Sequence, residues 1–74
     1  MRSIERYLRT LDGGFDDAAM RLMSDAFDAA CTTLGGRVKH PDREIIANRI
    51  IDEVTRGERD PIRLRDAGIA AWRG

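Results

Sequence analysis

The sequence predicts an all-α fold, a small bundle of three to four helices at about residues 3–11, 17–34, 41–56 and 61–72. Three observations carry this. Apolar side chains recur at i, i+3, i+4 and i+7 in every segment, the spacing that lines one face of a helix. Gly13-Gly14, Gly35-Gly36 and Gly57 punctuate the chain, and each break is followed within a few residues by a helix-start signal. No segment alternates apolar and polar residues with period two, so strands are not expected.

In the first segment Ser3 is a candidate N-cap, and Ile4, Tyr7, Leu8 and Leu11 form the stripe. Isolated helices need about 12–15 residues, so this short one must dock on the rest of the chain. The second segment opens on Asp16 and Asp17, suited to a cap and to the positive end of the helix dipole. Ala19, Leu22, Met23, Ala26, Phe27, Ala30, Cys31 and Leu34 then hold the helical period until Gly35-Gly36. Its length makes it the expected centre of the bundle.

The third segment starts at His40-Pro41, with Pro at the first helical position and Asp42 and Glu44 in the first turn. Ala47, Ile50, Ile51 and Val54 form its stripe, widened by Ile45 and Ile46; Arg56-Gly57 ends it. The fourth starts at Asp60-Pro61, an N-cap followed by Pro. Leu64, Ala67, Gly68, Ala71 and Trp72 share one face, while Ile62 and Ile69, seven apart, form a second apolar line. Gly68 is costly inside a helix, by about 1 kcal/mol against Ala, and points to close approach of a neighbour.

The whole chain of 74 residues reads as one domain. Chains this short bury only about 60% of their unfolded surface, so self-association or a partner is expected. Thirteen basic and thirteen acidic side chains cancel, leaving no global field for nucleic acid or an anionic membrane. A single cysteine, Cys31, excludes an internal disulfide and suits a reducing compartment. The first residues lack the apolar run of a secretory signal, and no stretch approaches the roughly 18 apolar residues of a membrane span. The expectation is a cytoplasmic protein.

The stretch from Glu44 to Ala71 contains an Ile-rich helix, the turn Arg56-Gly57-Glu58-Arg59-Asp60-Pro61, and the helix start Leu64-Arg65-Asp66-Ala67-Gly68. It resembles the C-terminal halves of small uncharacterised bacterial all-helical proteins of unknown function. The resemblance covers under half of the chain. It implies an α-helical fold and carries over no activity and no site residues.

Chemistry-bearing constellations are sparse. Cys31 and His40 are single members of their kinds, and a nucleophile pair needs an orienting group and oxyanion donors that the sequence does not supply. One His and one Cys cannot fill a zinc site without carboxylates. The Asp12, Asp16, Asp17 cluster lacks the ligand spacing of a calcium loop, and capping accounts for the latter two. No enzyme activity, metal, cofactor or small-molecule substrate is therefore expected.

Residues 41–72 also form a helix–turn–helix-like pair, which makes a DNA-binding accessory protein the alternative reading. Five Arg of residues 56–74 stand against Glu58, Asp60 and Asp66, however, where a basic face is the usual footprint. The favoured expectation is a small cytoplasmic protein–protein interaction or regulatory module, a homodimer being one form of it. The surplus apolar surface of the last two segments places its candidate interface at Ile46, Ile51, Ile62, Ile69 and Trp72.

Overall fold

The computed structural model describes residues 15–74, as three helices and one short turn. They are α1 (Asp17–Leu34), a 3-10 turn (Gly35–Arg37), α2 (His40–Thr55) and α3 (Pro61–Arg73), a small all-α bundle with no strand among the described residues. The expected helix at 3–11 lies outside them.

Each helix start follows from local chemistry. Asp16 caps α1: its Oδ1 accepts the Ala19 N–H at 2.8 Å. Asp60 caps α3 in the same way, accepting the N–H groups of Ile62 at 2.9 Å and Arg63 at 3.4 Å. The start of α2 differs from expectation by one residue. The cap is Lys39, and its backbone N–H donates to the Asp42 carboxylate at 3.4 Å. Pro41 thus sits one place further in, still within the first turn, where its missing N–H has no partner to lose.

The ends are set by glycine. Gly35, at φ 62°, terminates α1 by donating its N–H to the carbonyls of Cys31 and Thr32. Gly57, at φ 109°, follows α2. Its N–H reaches Val54 O at 3.0 Å while the Glu58 N–H reaches Glu53 O at 2.9 Å, the paired bonds of a Schellman close. From there the turn is built by side chains. Arg59 folds back to donate to Val54 O (2.7 Å) and Glu58 O (2.9 Å), and the Glu58 carboxylate accepts the N–H groups of Arg59 and Asp60.

The core is one cluster. α1 contributes Ala19, Met23, Ala26, Phe27, Ala30 and Leu34; α2 contributes Ile46, Ala47, Ile50, Ile51 and Val54; α3 contributes Leu64. Burying each large aliphatic side chain stabilises the fold by about 1.5–3 kcal/mol. Ser24 is the one buried polar residue among those described, and no buried side-chain nitrogen or oxygen there lacks a partner.

Among the described helices, α3 packs on both α1 and α2 more extensively than those two pack on each other. The reason lies in its small residues. A Cβ on Gly68 would stand 2.9 Å from Ile46 Cγ2 and 3.3 Å from two carbons of Ile50, so only glycine admits α2 this close. The close neighbour that Gly68 implied is thus a pair of side chains from the same chain.

Candidate interaction surface

The inner side of α3 is sealed: Leu64 and Gly68 are buried against the other helices. Its outer side is not. Ile62, on the first turn, is 58% exposed. Ile69, two turns on along the same face, is half-buried and packs partly on the core. Between them Arg65 grips its neighbour Asp66, with Nε and Nη2 both donating to Oδ1 at 3.0 and 2.9 Å. Beyond them Asp66, Ile69, Ala70 and Arg73 line a shallow open cleft. An exposed isoleucine, a charge pair and a cleft therefore share one helix face.

The five residues expected at an interface divide. Ile62 and Ile69 lie on this outer face. Ile46 is fully buried and Ile51 is 9% exposed, so both leave the candidate surface. The expectation of excess width on α2 assumed one neighbour, whereas α1 and α3 both cover it. The exposed isoleucine of α2 is Ile45, at 46%. Helical spacing alone distinguishes it: at 100° per residue Ile45 lies opposite the Ala47–Ile50–Ile51–Val54 stripe, while Ile46 borders it.

Trp72 is half-buried and packs against the core. The Arg37 guanidinium carbon stands 5.9 Å from its ring centroid, within cation–π range, while Arg37 Nε donates to Leu34 O at 3.1 Å. Trp72 thereby ties the end of α3 to the junction after α1.

Several arginines of α2, α3 and the turn between them are engaged locally. Arg49 pairs with Glu53 at 3.0 Å, Arg56 with Asp52 at 3.1 Å, Arg63 with Glu58 at 3.9 Å and Arg65 with Asp66 at 2.9 Å. Arg59 is turned onto backbone carbonyls. These surface pairs are individually weak, each about 0–1 kcal/mol. Together they set a carboxylate beside each of these four cations.

Cys31 is half-buried on α1, and burial pushes its thiol up from the usual range; nearby Asp28 adds to this and Arg43 opposes it. A raised pKa leaves less of the reactive thiolate. His40 is exposed at the start of α2. Among the described residues no three His, Cys, Asp or Glu side chains cluster as metal ligands, and no helix is long and apolar enough to cross a membrane. No family model, no curated protein and no solved structure matches this chain.

Proposed function

We propose that this chain is a small protein-interaction module, with the outer face of α3 as its working surface. One observation carries the reading. Ile62 is the most exposed large hydrophobic side chain among the described residues, and it shares a face with Ile69 on a helix whose opposite side is locked into the core. Apolar groups held exposed on a rigid element, with charges at their rim, are the usual make-up of a protein-binding patch. The half-buried, lone Cys31 fits a reducing, cytoplasmic setting for such a module.

The charge arrangement supports a protein partner over duplex DNA. Phosphate binding draws on unopposed Lys and Arg, whereas here Arg49, Arg56, Arg63 and Arg65 each stand within 4 Å of a carboxylate.

Site-specific photo-crosslinking in the cell that makes the chain tests this reading. A benzophenone amino acid in place of Ile62 is expected to give protein adducts, with a second copy or with another chain. The same group in place of Asp28, exposed on α1, is expected to give none. Equal or absent adducts at the two positions would overturn the reading.

A further inference from the structure

We infer that the partner of this face is a second copy of the chain, bound through antiparallel packing of α3 on α3 about a two-fold axis between Arg65 and Asp66. This rests on the interaction-module reading above and assigns its occupant and register.

The argument begins with the cleft. Among the described residues its lining is Asp66, Ile69, Ala70 and Arg73, at i, i+3, i+4 and i+7. That diamond is the hole into which a side chain from a facing helix inserts in knobs-into-holes packing. The knob must be apolar, exposed and at a matching height. Ile62 meets all three conditions, on the same face as the cleft.

Symmetry then fixes the register. A two-fold interface is self-complementary, so each residue that meets another is met by it in return. In antiparallel helices related by an axis between positions 65 and 66, position 62 faces position 69 of the second copy. Ile62 thereby enters the cleft beside the partner's Ile69, and the partner's Ile62 enters the cleft of the first chain.

The same axis sets Arg65 against the partner's Asp66, and Asp66 against the partner's Arg65. The two side chains are 36% and 60% exposed, so each is open to a second ligand. About this axis Ile62, Arg65, Asp66 and Ile69 are thus symmetric in hydrophobicity and complementary in charge. No other register of the face against itself pairs isoleucine with isoleucine and each charge with its opposite.

Charge-swapped variants test both the occupant and the register. Wild-type protein at micromolar concentration should sediment toward twice its 8.3 kDa mass. Arg65→Asp gives two adjacent acids and Asp66→Arg two adjacent bases, and each alone should sediment as a monomer with an unchanged helical spectrum. An equimolar mixture of the two should recover the dimer as a heterodimer. The double variant Arg65→Asp/Asp66→Arg should dimerise with itself.

A monomeric wild type, a single variant that dimerises like wild type, or a mixture that stays monomeric would each overturn the proposal. A monomeric wild type whose position 62 still crosslinks to a different protein would overturn self-association while leaving the interaction module standing. Absence of crosslinks at 62 would remove both.

Discussion

The two sides of α3 carry similar side chains and meet opposite fates. Inward, Leu64 is wholly buried and Gly68 lets Ile46 and Ile50 close on the helix backbone. Outward, Ile62 stands in solvent and Ile69 is only partly covered. The fold thus encloses Leu64 and Gly68 fully and Ile69 and Trp72 in part, and leaves Ile62 outside. Apolar groups left outside on the same helix therefore call for a different explanation, and the split gives stability and association to different residues of one helix.

The largest expected effect comes from emptying the inner side. Leu64→Ala removes the only fully buried large side chain that α3 places in the described core, and should cost about 2–5 kcal/mol of stability. In a domain this small that approaches the whole of the folding free energy. Urea unfolding followed by circular dichroism measures it, and a loss under about 1 kcal/mol, less than cavity formation allows, would mean that the inner side of α3 is not locked into the core.

Gly68→Ala sets two effects against each other. Alanine should gain about 1 kcal/mol in helix propensity. Its Cβ, however, would stand 2.9 Å from Ile46 Cγ2, a β-branch methyl on a fully buried side chain with little rotamer freedom. Overpacking of this kind costs about 1–3 kcal/mol. The net expectation is destabilisation by about 1 kcal/mol, a fall in Tm of about 4–8 °C for a domain of this size. A rise in Tm would mean that the helices yield readily and that the close approach is not needed.

Asp60→Ala acts where both sides of α3 begin. The carboxylate accepts two of the first-turn N–H groups, so its loss should cost about 1 kcal/mol. The effect reaches Ile62 as well, since Asp60 accepts that residue's own N–H at 2.9 Å. Amide exchange at Ile62 and Arg63 should quicken more than exchange at Gly68. Uniform quickening along α3 would instead mean that the helix opens as one unit.

The sequence exposes some of this structure and conceals the rest for physical reasons. The bounds of α1, residues 17–34, and the Asp60-Pro61 start of α3 are legible because caps and terminal glycines act through local backbone hydrogen bonds. The start of α2 slips by one residue because Pro is accommodated at either of the first two positions, and Asp42, not a polar N-cap side chain, completes the turn. The close packing of α3 on α2 is hidden, because it depends on where Gly68 lands against Ile46 and Ile50, a contact between residues some twenty positions apart. The burial of Ile51 is concealed for the same reason, since it depends on how the other helices pack on α2. The exposure of Ile45 is readable from helical geometry. The fold-back of Arg59 onto Val54 O is not, because an arginine in a turn looks like any solvated cation.

The smallest effect on stability, and the sharpest test of the contrast, is expected for Ile62→Ser. Isoleucine and serine have similar intrinsic helix propensities, so the helix itself should not weaken. The side chain is 58% exposed, which leaves little burial to lose. Surface changes of this kind fall within about 0.5 kcal/mol. Serine still removes an apolar knob from the outer face, so Tm measured on dilute protein should hold while association weakens at least tenfold. Sedimentation equilibrium of wild type and variant over a range of concentrations reads the second quantity. A variant that loses stability but associates like wild type would reverse the assignment, placing Ile62 with the fold and leaving the outer face of α3 without a role. A variant that keeps its stability and loses association would show that one thirteen-residue helix holds the core with one side and the partner with the other.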